Sequence, residues 1–139
     1  MAITQAVCSS FKQELLEGIQ DMDADTFKMA LYTSSATLGA TTTVYSATNE
    51  VSGTGYTAGG ATITSPTVTL SGTTAFFDCA DVTWTTATLT ARGAVIYNSS
   101  KANRTVLVLD FGSDKTSTAG DFSVIMPTPD ASNALLRLS

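Results

Sequence analysis

The chain has 139 residues, enough for one hydrophobic core and too few for two ordinary domains, so a single domain over residues 1–139 is expected. Charged side chains make up 14% of it, below the roughly 25% of an average soluble domain, and a net charge of −5 repels phosphate backbones and argues against nucleic-acid binding. The absence of histidine excludes a histidine-activated serine or cysteine, and no apolar run approaches the ~18–20 residues of a membrane-spanning helix.

From Ile3 to Gly18 the apolar positions Ile3, Val7, Phe11, Leu15 and Ile19 recur every fourth residue, with Lys12, Gln13, Glu14 and Glu17 on the other side. That period predicts an amphipathic helix over residues 1–20. Thr4 can cap its start and Gly18 can end it, while Ser10 with Gln13 offers a capping box for a shorter helix. Met1 to Ser10 lacks the basic lead and long apolar block of a secretory signal, so synthesis in the cytoplasm is expected. Asp21, Asp23 and Asp25 then alternate as in a calcium loop. Thr26 stands where that loop needs glycine and Tyr32 where it needs glutamate, so a solvated acidic turn is expected and no metal site.

Phe27, Met29 and Leu31 alternate with Lys28, Ala30 and Tyr32, the two-residue period of a strand. The tract from Ser34 to Gly60 follows, neutral but for Glu50 and rich in small hydroxyl residues and glycine. An uninterrupted loop of more than about 12–15 residues inside a compact domain calls for a function or a partner. Disordered tracts are charged and poor in aromatics, whereas this one keeps Leu38, Val44, Tyr45, Val51 and Tyr56. It is therefore expected to be an ordered, extended surface arm, with Gly53, Gly55, Gly59 and Gly60 letting it lie flat on another protein. A phosphate cradle would need a following helix and a lysine that the sequence does not offer.

Ala61–Ser65 and Thr67–Leu70 read as short strands around Pro66, and Ser71 with Gly72 as a turn. Thr73–Trp84 is a further strand bent near Ala80 and Asp81. Leu89 opens another extended segment, and Ala94–Tyr97 is a buried strand stopped at Asn98 to Ser100. Thr105–Phe111 is the most hydrophobic strand, ending in a polar connector from Gly112 to Gly120. Phe122, Val124 and Met126 make another, and Ala134–Leu138 the last. About seven to nine short strands without alternating helices predict an all-β fold, a single antiparallel β-sandwich, jelly-roll-like, over residues 26–139, carrying the helix and the arm at 34–60.

No catalytic constellation emerges. Asp78 and Asp81 as paired carboxylates would need a cleft that nothing here establishes, and Asp110-Phe111-Gly112 reads as a strand end and turn. Trp84, Tyr45 or Tyr56 could offer a stacking platform to a sugar, although Trp84 reads first as core. Cys8 and Cys79 are expected as free, buried thiols. Asn98-Ser99-Ser100 and Asn103-Arg104-Thr105 match glycosylation acceptors but read as turns in a chain without a secretory route.

Four stretches carry a resemblance: FKQELLEGI from Phe11 to Ile19, FKMALYTSSATLGATTTVYSATNEVSGTGYTAGG from Phe27 to Gly60, VTWTTATLTARGAVIYNSS from Val82 to Ser100 and VLDFGSDKTSTAGDF from Val108 to Phe122. Together they resemble a family of small tailed-bacteriophage virion proteins over nearly the whole chain. In size, acidity and strand content the chain is similar to capsid cement, or decoration, proteins. The resemblance implies a structural protein on the virion capsid surface, binding the major capsid protein and forming a homo-oligomer, dimer or trimer. It implies no enzyme activity, catalytic residue, cofactor, nucleic acid or membrane. Phe11, Leu38, Val44, Tyr45, Glu50 and Tyr56 are the partner-contact residues expected on this reading. A tail, tail-tube or head-fibre component of such a virion is the alternative, with a carbohydrate-binding module behind it.

Overall fold

A computed structural model describes residues 2–139. In chain order they form β1 (Ala6–Val7), α1 (Ser9–Leu16), β2 (Phe27–Tyr32), β3 (Ala61–Thr62), β4 (Thr67–Ser71), β5 (Thr74–Asp78), β6 (Val82–Asn98), β7 (Arg104–Val124) and β8 (Leu136–Leu138). The strands make two antiparallel sheets, one in the order β1-β7-β6-β2-β3 and one in the order β4-β5-β8. Both sheets are open, and α1 is one short helix beside them.

The β6–β7 hairpin is the spine. It pairs from Asn98↔Arg104 beside its turn to Val82↔Val124 at its far end. Near the turn β2 adds to it along Gly93–Asn98 and β1 along Leu107–Val108, so β6 is there a central strand and every residue from Gly93 to Asn98 is buried. That is why Ala94-Val95-Ile96-Tyr97 is a continuous apolar run rather than an alternating one. Beyond Gly93 the hairpin continues as a ribbon with one dry face. Val82, Trp84, Ala87, Leu89 and Ala91 are buried there, while Thr83, Thr85, Thr88 and Thr90 are exposed. The two sheets share one hydrophobic cluster, joined by the edge-to-face contact of Phe27 on β2 with Phe77 on β5, ring centroids 6.0 Å apart.

Three sequence expectations change. Helix α1 begins at Ser9, and Ile3 to Val7 run extended, Ala6 pairing with Val108 and Val7 with Leu107. Isoleucine, threonine, valine and cysteine are modest helix formers, and here the free edge of β7 competes for their backbone. Neither Thr4 nor Ser10 caps the helix: Cys8 is the N-cap and makes no side-chain capping bond, and Ser10 Oγ is buried without a partner. Gly18 does end it, at φ 73, with its N–H bonded to Leu15 O and that of Ile19 to Glu14 O, a Schellman closure.

Gly112 to Gly120, expected as a connector, is strand. Lys115, Thr116 and Ser117 pair with Ala91, Thr90 and Leu89, and the apparent breakers form irregularities inside the ladder. Gly112 sits at φ 81, and the Asp110 carboxylate accepts its N–H at 2.9 Å and the Arg92 Nε–H at 3.3 Å. The third change concerns the arm.

Candidate partner-contact surface

The segment after β2 does not stand away from the molecule. Leu38 forms an isolated parallel bridge with Ile3, with Thr4 N–H bonded to Leu38 O and Ser9 N–H to Ala40 O. The chain then runs beside the start of β7, where Val44 bridges Arg104, Thr105 N–H bonds Thr43 O and Tyr45 N–H bonds Asn103 O. It next returns to β2: Glu50 bridges Tyr32, and Val51 N–H bonds Leu31 O. It passes the ribbon at Thr54, which bridges Thr88, before β3 pairs with Lys28 and Met29. The arm is thus strapped over its own sheet, satisfying backbone groups that the edges of β7 and β2 would leave open.

Its glycines serve this close approach. A Cβ on Gly60, which sits at φ 81, would stand 1.8 Å from Met29 O, and one on Gly53 would stand 2.4 Å from Thr88 O. The surface these two lie against belongs to this chain.

The strap is fastened by a polar clasp. The Glu50 carboxylate accepts the Tyr45 hydroxyl at 2.6 Å on Oε1, and the Tyr56 hydroxyl and the Gly59 N–H at 2.8 Å on Oε2. Tyr56 Oη also accepts the Leu31 N–H, Tyr32 donates to Ser46 O and Tyr97 donates to Gly59 O. The hydroxyls of Tyr32, Tyr56 and Tyr97 therefore tie the strap to the sheet, while that of Tyr45 closes on Glu50 within the strap. Burial first, and then the hydrogen bond given to Glu50, push the Tyr45 and Tyr56 hydroxyls well above the ordinary phenol range. Burial also raises Tyr32 and Tyr97, with the Glu50 charge adding to it. These groups stay protonated and act as donors.

The six predicted contact residues divide. Tyr45, Glu50 and Tyr56 come together in the clasp, facing inward. Phe11 is 1% exposed in the core under α1, and Leu38 is half-buried against that core. Val44 alone of the six is exposed, at 49%. The rings proposed for sugar stacking have ring neighbours: Tyr56 lies parallel to the buried Trp84 at 5.9 Å and 9°, and Tyr45 stacks on Tyr97 at 4.7 Å.

A second network escaped the sequence reading altogether. From Arg104 the bonds run through Glu14, Gln20, Asn98 and Asp25 to Lys101, joining α1 and the acidic turn to the end of the hairpin. Gln20 and Asn98 are buried in it, which removes Asn98 from consideration as a glycan acceptor. Burial works to raise the Asp25 pKa, but bonds from the Asp21 backbone, the Asn98 amide and the Lys101 ammonium outweigh it and hold the carboxyl below its usual range. The acidic turn is closed by its own carboxylates: Asp21 Oδ1 accepts the Asp23 and Ala24 N–H groups, and Asp25 Oδ2 that of Asp21. Asp81 likewise accepts the Met126 N–H at 2.7 Å. Cys8 and Cys79 are free and buried, and burial pushes the Cys79 thiol up to about 12. No sequence spacing announces these partners, because they lie up to 90 residues apart.

Fold and site together define a two-sheet antiparallel β-protein whose longest loop is clasped to its own surface. No protein-family model matches the chain, and neither a curated protein nor a solved structure matches it. Among the described residues no helix is long and apolar enough to cross a membrane, and no three His, Cys, Asp or Glu are grouped to hold a metal ion.

Proposed function

We propose that the protein is a capsid cement protein of a tailed bacteriophage, docking on the major capsid protein through the outward face of the strap. One observation supports this most. The only charge between Ser34 and Gly60 is Glu50, and its carboxylate is turned inward on Tyr45, Tyr56 and Gly59. What faces outward is a fixed surface of hydroxyl and small side chains around Val44, with Ser34, Ser35, Thr37, Ala40, Thr41 and Thr43 all exposed. A preorganised surface without charge loses little ordering entropy and no ion solvation on docking. The sequence resemblance supplies the class of partner. The finer architecture belongs to the same reading: the two sheets form a jelly-roll-like sandwich that presents the strap as a plate to the shell.

A protein that binds only the assembled shell stabilises it by mass action, by about 2.7 kcal/mol per site at a hundredfold excess over its dissociation constant. No catalytic residue is needed. Copy number and position in purified particles test the reading: several hundred copies spread over the capsid are expected, whereas a few dozen confined to the tail would refute it in favour of a tail or head-fibre component. Val44→Glu places a charge on the docking face outside the core and is expected to lower capsid occupancy by roughly tenfold or more while the thermal unfolding midpoint holds.

A further inference from the structure

The three-stranded sheet ends in an edge without protection. Strand β4 reads Thr-Val-Thr-Leu-Ser, every residue is exposed, no side chain is charged, and its backbone groups turned away from β5 have no strand beside them. Natural edges are kept from pairing by charge, proline, shortness or a cover. The other edges have such a device: β1 and β3 are two residues each, β8 is three residues carrying Arg137, and the uncovered stretch of β7 along the ribbon carries Asp114, Lys115 and Asp121. Proline stands only before β4, at Pro66, where it leaves the five-residue ladder to β5 intact.

The face beside this edge is apolar. Register places Val68, Phe77 and Leu136 in one row and Leu70, Ala75 and Leu138 in the next. The first row reaches the core through Phe77, and the second overhangs it. Leu70 is 73% exposed, Leu138 62% and Val68 47%, and Leu16 at the end of α1, 89% exposed, lines the same groove of about 820 Å³ as Val68 and Leu138. Val68 and Leu70 stand on the edge strand itself, so a strand added to β4 covers them, whereas Leu138 lies across β5 from that edge. No charged side chain stands on β4 to oppose a second copy, so the net charge of −5 is carried elsewhere on the chain.

We infer that the chain pairs with a second copy of itself through β4, antiparallel about a two-fold axis, joining two three-stranded sheets into one of six strands with Val68 and Leu70 of both copies covered at the seam. An antiparallel strand is its own complement under a two-fold, which is the isologous solution commonest among oligomers. The inference concerns the protein in solution and stands or falls separately from docking on a shell.

Sedimentation of the full-length protein is expected to show a dimer. Leu70→Glu, which sets like charges at the seam, is expected to raise the dimer dissociation constant roughly thirtyfold or more, while Ile125→Glu, a substitution at an exposed apolar residue outside this patch, leaves it unchanged. In the wild type, amide hydrogen exchange within Thr67–Ser71 is expected to slow as protein concentration rises, a readout that needs no variant. A monomer at every concentration, a trimer, or a folded Leu70→Glu protein that stays dimeric would overturn the inference. Protection of β4 appearing only when empty capsids are added would also overturn it, assigning the edge to the shell protein.

Discussion

Glu50 shows what a single side chain can decide. It was legible as the lone charge of a neutral tract, but its direction was not: the sequence reading turned it out toward a partner, and the fold turns it in, because Tyr45 and Tyr56 reach it from six residues or fewer away. Glu50→Ala leaves two phenols and an amide to find other acceptors and is expected to cost about 1.5–3 kcal/mol in urea unfolding, the scale of a bond to a charged group. Asp25 makes the complementary case in acid. Its folded pKa lies below the ~3.9 of an unfolded aspartate, so as pH falls the unfolded chain takes up the proton first. Its contribution is full above about pH 5 and is lost as pH drops through the folded value. The urea midpoint is expected to fall as pH drops from about 5 through the carboxylate range, and to fall less in Asp25→Asn, which removes the titrating group.

At the scale of elements, the sequence located strands better than it joined them. Two-residue alternation gave β2 at Phe27–Tyr32 almost to the residue, and the Ser71–Gly72 turn falls where the β4–β5 hairpin closes. The errors came where local signals were honest but tertiary pairing was stronger. Ile3 and Val7 fit a helical stripe and a strand equally well, and the β7 edge decided between them. Gly112 and Gly120 look like strand ends, yet a partner strand as long as β6 absorbs them as irregularities. Close approach of backbone to backbone is likewise invisible in sequence, since glycine in a turn and glycine under a strap are the same letter. Gly60→Ala distinguishes them here. Its Cβ would meet Met29 O in a φ that side chains rarely adopt, and a loss of about 2 kcal/mol or more in thermal or urea unfolding is expected, against a few tenths for a glycine in an open turn.

For the whole molecule, β-richness was readable from composition and turn spacing, while the arrangement into two open sheets was not, because it depends on which edges meet across the chain. The strap bears on how docking is tested. Removing residues 41–55 would delete Val51 from the core along with Tyr45 and Glu50 from the clasp, so lost capsid binding in such a variant would report unfolding. Exposed Val44 separates the two, and Leu70 does the same for self-association on the three-stranded sheet. A folded Val44→Glu protein absent from capsids but still dimeric in sedimentation is the expected combination.

The pairing of β1 with β7 also sets an order of events in time. Ala6 finds its partner at Val108, and Gln5 Oε1 takes the Asp110 N–H, so β1 leaves the ribosome well before β7 and is completed only once β7 exists. Until most of the chain exists, Ile3 to Cys8 have no ladder to join, and the edge they will occupy has not been made. Long-range closure of this kind slows folding toward the millisecond-to-second range typical of non-local β topologies and lengthens the interval in which bare strand edges can meet those of another copy.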